Sequence, residues 1–186
     1  MMLLIQYTLV FSSVLLLVAL GGCFSERSGI INIGLEGIMV IGALGGVMVL
    51  HNLSPQLPGI VILLLTVAAS IAAGMIYSLL LAVASINFKA DQTLVGTAMN
   101  MLGLALATVI AKAYNIATTS GADNSARIAF VENKKALALV EGTEFNWFMT
   151  LAFAALAVGW VVLYKTRFGL RLMACGEHPQ AADSVL

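Results

Sequence analysis

Charge is scarce in this 186-residue chain: Asp, Glu, Lys and Arg make up 10% of it, against roughly 25% in an average soluble domain. The nine basic and nine acidic residues cancel to a net charge of zero. No basic run interrupts the sequence, so the electrostatic footprint that draws a protein to nucleic acid is missing and that partner is excluded. Cysteine is rare too, with Cys23 and Cys175 the only two. Neither belongs to a pair spaced like a metal site, which leaves two thiols and no disulfide framework. His51 and His178 lie far apart, so no metal constellation is visible. Also absent are a phosphate loop of the Gly-x-x-x-x-Gly-Lys-Ser/Thr type, a Gly-x-Ser-x-Gly elbow and a His-Glu-x-x-His helix. The chain is therefore read as a non-enzyme without catalytic residues, metal or cofactor. Any uphill work must draw on an ion gradient or on another subunit.

What the sequence has instead is apolar length. Its hydrophobic fraction is 61% and its mean hydropathy +1.02. The apolar residues fall in runs of about 20, the length a helix needs to cross a hydrocarbon core of about 30 Å at 1.5 Å per residue. Continuous apolarity places spans over 3–22, 30–50, 59–86, 94–111 and 147–164. The breaks have local causes: Ser25-Glu26-Arg27-Ser28-Gly29, Ser54-Pro55-Gln56-Leu57-Pro58 and Asn87-Phe88-Lys89-Ala90-Asp91-Gln92. A lipid-facing barrel would alternate apolar and polar residues, which these runs do not. Leu20-Gly21-Gly22-Cys23 faintly resembles a lipoprotein cleavage site, but residues 1–22 carry no positive charge, as a secretory leader would. The expected fold is an all-α integral membrane protein, 1–186 forming a single transmembrane domain of five helices.

Small residues recur every four positions at Gly42 and Gly46, at Ser70, Gly74 and Ser78, and at Gly103, Ala107 and Ala111. Such stripes let helix backbones approach closely, although Gly and Ala are common in membrane helices generally. Arg27, Lys89, Lys165, Arg167 and Arg171 fall on one side of the expected topology, whereas the short connection 51–58 has no basic residue. By the positive-inside rule the tail is cytoplasmic and the N-terminus outside. Tyr114, Trp147 and Phe148 at one level, and Trp160 and Tyr164 at the other, fit two interfacial belts.

Polar residues within spans are the candidates for function. Asn32 and Glu36 sit four apart, on one face of the expected second helix, with Gly29, Gly34 and Gly37 close by. An ionisable group there is costly unless it faces protein or water. Two readings stay open: a pathway or packing role, or a position near the headgroups. Asn100, with Gly96 one turn before it and Thr93 and Thr97 nearby, forms a second polar patch. It suits either a hydroxylated solute or a hydrogen bond across helices, and the second is preferred. Asp91 and Gln92 read as a helix start.

The outer loop 112–146 opens with a Thr118–Ser125 turn cluster, and a short surface helix is expected within 128–140. It is either a solvated connection or a docking platform. The segment 165–186 leaves the membrane basic, turns at Gly176 and Pro179, and then starts an Ala-rich stretch. A short exposed helix of this kind is what a partner subunit could grip.

Three blocks carry a resemblance: Gly21 to Gly37, Ala90 to Asn100, and Phe168-Gly169-Leu170-Arg171 through Gly176-Glu177-His178-Pro179-Gln180-Ala181-Ala182-Asp183. In that order they resemble the permease subunits of bacterial ABC importers for nucleosides and simple sugars, allied to the ribose and branched-chain amino-acid permeases. The likeness covers nearly the whole chain and is nearest the nucleoside type. It implies a pathway for a small-molecule nucleoside or sugar, with Asn32, Glu36, Thr97 and Asn100 as candidates. It also implies a coupling segment for a separate cytoplasmic ATPase, drawing on Gly169, Arg171, Gly176, Glu177, Pro179, Ala181 and Ala182. His178 stands where Asn is usual. A second permease subunit, an extracytoplasmic solute-binding protein and the lipid bilayer complete the implied partners. Family members continue past Ala-Ala-Asp with further spans, so the resemblance reads this chain as a truncated permease, a fragment or a frameshift product. The competing readings are a non-transporting membrane scaffold and an ion-coupled carrier, for which Glu36 is the one candidate ion site. A carrier has no use for a Gly-Glu-x-Pro-x-Ala-Ala segment, so the tail discriminates.

Overall fold

The computed structural model describes residues 2–54, 56–119, 121, 124–128, 138 and 145–183. Seven helices occur among them: α1 (Met2–Arg27), α2 (Leu35–Asn52), α3 (Gly59–Ile86), α4 (Gln92–Thr118), α5 (Trp147–Lys165), α6 (Arg167–Glu177) and α7 (Pro179–Asp183). The first five are long and apolar enough to cross a membrane. The fold is all-helical and membrane-spanning, as the apolar runs require. The expected surface helix within 128–140 lies outside the described residues, apart from Ile128 and Ala138.

Each helix end has a chemical reason. Helix α1 does not stop near residue 22 but runs through Gly21 and Gly22 to Arg27. It closes where the Ile30 N–H donates to the Ser25 carbonyl at 3.2 Å and the Gly29 N–H to that of Glu26 at 3.0 Å. This paired closure puts Gly29 in the left-handed region at φ 82°, where a side chain is strained. Helix α2 starts at Leu35, five residues later than expected from apolarity, and its N-cap Gly34 has no side chain with which to cap it. Helix α3 holds the bounds expected for the third span, entering after Pro58. Its 28 residues rise about 42 Å, more than a straight crossing needs.

Helix α4 begins where the Asp91 carboxylate accepts from the backbone N–H groups of Thr93 and Leu94, at 2.7 and 3.2 Å. It continues past residue 111 to Thr118, so the outer loop is shorter than expected. Helix α5 starts on Asn146, whose side chain accepts from the Met149 N–H at 3.0 Å. Thr166 caps the end of α5 and the start of α6 alike.

The chain divides into two compact units, Met1–Asn32 with Leu139–Leu186, and Ile33–Ala138. In the second unit α2 and α4 run parallel, with Gly37 against Met99 at one end and Asn52 bonded to Tyr114 at the other. Helix α3 runs antiparallel to α2, with Gly42 and Gly46 set against Ser70. Two of the expected stripes thus face each other, and the third meets Gly37 through Gly103. Tyr77, Leu81 and Met99 form the buried cluster, flanked by Ile38, Ile41 and Val95. In the first unit α1 and α5 run parallel, with Leu20 against Gly159 and Arg27 beside Tyr164. Parallel first and fifth helices are what a chain of five crossings requires. Most large apolar side chains point outward, as suits a surrounding of lipid.

Candidate functional site

In the second unit one polar side chain reaches the start of α2. The Asn100 carboxamide reaches from α4 to the backbone of α2: its Oδ1 accepts from the Gly37 N–H and its Nδ2 donates to the Ile33 carbonyl, both at 2.8 Å. Only one orientation of the carboxamide satisfies both bonds. Asn100 is thus an N-cap supplied from a neighbouring helix, doing for α2 what Gly34 cannot. The hydrogen bond across helices, preferred from sequence, is what the side chain makes.

Glycine lets it reach that far. A Cβ on Gly37 would lie 2.6 Å from the Met99 carbonyl oxygen, one on Gly96 2.9 Å from the Gly34 nitrogen, and one on Gly103 2.9 Å from the Gly37 Cα. The same Met99 carbonyl accepts from the Tyr77 hydroxyl at 2.6 Å. Tyr77 therefore ties α3 to this seam, a role that sequence reasoning missed. The available signal was a tyrosine in mid-span, whose hydroxyl must find a partner when buried.

The shared helix face expected for Asn32 and Glu36 does not exist. Asn32 precedes α2 in non-helical chain, because the cap from Asn100 fixes the first turn at Leu35. Asn32 is half-buried. Glu36 stands in the first turn of α2, where a carboxylate is favoured by the helix dipole, and its side chain is exposed. Thr97 is exposed on α4 with its hydroxyl donating back to the Thr93 carbonyl at 2.8 Å. With Asp91, Thr93, Leu94, Ala98 and Met101 it lines an open hollow of about 490 Å³. Glu36 thus stands at the start of α2, with Thr97 and Asn100 in the second and third turns of the parallel helix α4. Beneath them, the backbone N–H groups of Leu94 and then Thr93 hold the Asp91 carboxyl below its ordinary range.

Sequence reasoning also missed Asn115, at the other end of α4. It is buried, and its Nδ2 donates to the carbonyls of Ser125 and Arg127 at 2.9 Å each. This bond pair folds 125–127 back over the end of the helix.

In the first unit the tail is built on the end of α5. The Thr166 hydroxyl donates to the Val162 carbonyl at 2.6 Å and accepts from the Gly169 N–H at 3.3 Å, turning the chain sharply into α6. Helix α6 is strongly amphipathic. After it His178 breaks the helix, and Pro179 opens α7, as its fixed φ suits a first helical position. The coupling candidates divide by direction. Gly169 is buried against the Leu163 and Val162 carbonyls, and Gly176 packs on the backbone of Arg27 and Gly29. Arg171, Glu177 and Pro179 are exposed, and Ala182 is half-buried. The side chain of Ala181 lies outside the described residues. At this end the Arg27 guanidinium donates to the Tyr164 hydroxyl at 3.2 Å, and the Lys165 ammonium sits 5.7 Å from the Trp160 ring centroid.

Five membrane-length helices, a glycine seam capped in trans and an amphipathic tail define the class: an all-helical, multi-pass membrane protein. The family described as the branched-chain amino acid transport system, permease component, matches residues 4–185, and the chain belongs to it. Among its relatives, the guanosine ABC transporter permease NupQ of Bacillus subtilis is 41% identical over 96% of this chain and 57% of its own length. The nucleoside ABC transporter permease NupC of Lactococcus lactis is 36% identical over 95% of this chain and 56% of its own. A putative glucose ABC transporter permease of Haloferax volcanii is 32% identical over 98% and 54%. The chain thus spans a little over half the length of these relatives. No solved structure matches it.

Proposed function

We propose that this chain forms part of the permease of an ABC importer that carries a nucleoside across the membrane, driven by ATP hydrolysis on a separate cytoplasmic subunit. The observation that carries the reading is the tail. An amphipathic helix, a break at His178 and a second short helix leave Arg171, Glu177 and Pro179 exposed, while Gly176 packs on the backbone of the basic residue Arg27. A cytoplasmic ATPase needs such a handle, and the positive-inside rule puts this end in the cytoplasm and the N-terminus outside. The names of the two nucleoside-type relatives favour a nucleoside over a hexose. In this reading Glu36, Thr97 and Asn32 border the pathway, whereas Asn100 fixes its wall. A second permease subunit closes the pathway, and an extracytoplasmic binding protein delivers the solute.

The test combines uptake with association. Cells lacking the gene are expected to lose uptake of tritiated guanosine and keep uptake of glucose; the reverse result rejects the nucleoside assignment. Replacing Glu177 and Pro179 together by alanine is expected to weaken co-purification of the ATPase without reducing membrane insertion. Unchanged co-purification removes the tail from the interface.

A further inference from the structure

Within the proposed coupling segment, Gly176 faces the wrong way for a residue that touches a partner. A Cβ on it would lie 2.5 Å from the Arg27 carbonyl oxygen and 2.9 Å from the Gly29 nitrogen, while one on Gly29 would lie 3.0 Å from the Gly176 Cα. The exclusion is reciprocal and backbone-to-backbone, so no rotamer change relieves it. Gly29 is further committed by its φ of 82°, which closes α1. Seven positions before Gly176, on the same face of α6, Gly169 is pressed on the last carbonyls of α5. Helix α6 is therefore held at both ends, on α5 through Gly169 and on α1 through Gly176. The exposed Glu177 and Pro179 begin one residue beyond the second grip.

We propose that Gly176 and Gly29 form a rigid joint through which displacement of α6 and α7 moves the C-terminal turn of α1. Gly176 is then a positioning residue and not an ATPase contact. The assignment rests on the permease reading above and deepens it by naming the element that receives the motion. From that turn the chain runs directly on through residues 30–34 into α2, the helix that carries Glu36.

The experiment uses the full chain in its own membrane with Cys23→Ser, and spin labels on the native Cys175 and on Glu26→Cys, both exposed positions flanking the joint. Strong dipolar broadening is expected, unchanged between nucleotide-free and ATP-trapped states. Broadening that is absent, or that changes with ATP, overturns the rigid joint without recourse to any variant at the glycines. In a second arm, Gly176→Ala is expected to abolish the broadening and lower maximal guanosine uptake by roughly tenfold, with KM and ATPase co-purification unchanged. Wild-type uptake by Gly176→Ala overturns the proposal while leaving the permease reading intact. If no ATPase co-purifies with the wild-type chain, both the transmission and the permease reading fall, and the broadening then reports only the contact.

Discussion

Helices α2, α3 and α4 meet backbone to backbone, whereas α1 and α5 meet side chain to backbone. In the first group Gly37, Gly42, Gly46, Gly96 and Gly103 bring main chains together, and Asn100 and Tyr77 bond directly to main-chain groups across the seam. In the second, the leucine side chain of Leu20 fills the notch at Gly159, and an Arg27–Tyr164 hydrogen bond closes the rim. The described side chains that α1 buries, Gln6 and Ser13, are polar. Lipid tails are as apolar as leucine, so helices in a membrane gain little from apolar contact alone. Close packing and hydrogen bonds must supply specificity. The glycine seam has one tolerated geometry, while the leucine in its notch can adjust. The comparison locates stiffness in the seam of α2, α3 and α4 and room for adjustment at the Leu20 notch between α1 and α5.

Substitutions that attack the seam should therefore cost most. Gly37→Ala forces a methyl onto the Met99 carbonyl, which no side-chain rotation relieves. A loss of about 3 kcal/mol or more is expected, at the upper end for overpacking, read as a large drop in melting temperature in detergent. Near-wild-type melting would show that the seam yields. Asn100→Leu comes next, since it leaves the Gly37 N–H and the Ile33 carbonyl without their partner, at about 1–3 kcal/mol. Hydrogen exchange at the Gly37 amide should accelerate in this variant, and unchanged protection would remove the capping role. Asn100→Asp keeps the acceptor for Gly37 and should retain part of that protection.

Tyr77→Phe removes only the bond to the Met99 carbonyl, and a cost of about 1 kcal/mol is expected. Gly159→Ala, the matching probe of the other region, meets only the flexible end of Leu20 at 2.7 Å. It should cost under about 1.5 kcal/mol. A loss equal to that of Gly37→Ala would erase the contrast between the regions. The smallest effect belongs to pH. The Asp91 carboxyl is held below its ordinary value of 3.8 in the folded chain by the Leu94 and Thr93 amides. Its contribution is thus complete above that value and is lost as pH falls through the depressed folded pKa. Asp91→Asn should flatten that acid limb of a melting-versus-pH curve and leave neutral pH nearly unchanged.

Much of the fold is legible in the sequence because its signals are local. Pro58 and Asn87 bracket α3, and a bilayer admits no alternative to helix for such a run. The first span is misread for the same reason: Gly21 and Gly22 look like a stop, yet α1 passes through them and ends only at Arg27, with Gly29 closing it. The stripes at Gly42, Gly46, Ser70 and Gly74 are visible as spacing, but which stripe meets which is not. The start of α2 is invisible locally, because its cap lies on Asn100, 63 residues along the chain from Gly37. Assuming continuous helix through 30–50 then placed Asn32 and Glu36 on a face that is not formed. For the tail, sequence shows that Gly169 and Gly176 belong with Glu177 and Pro179. It does not show that the glycines turn inward while the others turn out.

The corner at Thr166 has a mechanical consequence of its own. One residue terminates α5 and initiates α6, so the two helices share a single pair of soft torsions. A tether of several residues would let the tail swing freely and dissipate any push. A one-residue elbow, braced by Gly169 beneath it, acts instead as the crank of a shaft, and the length of α6 becomes its lever arm.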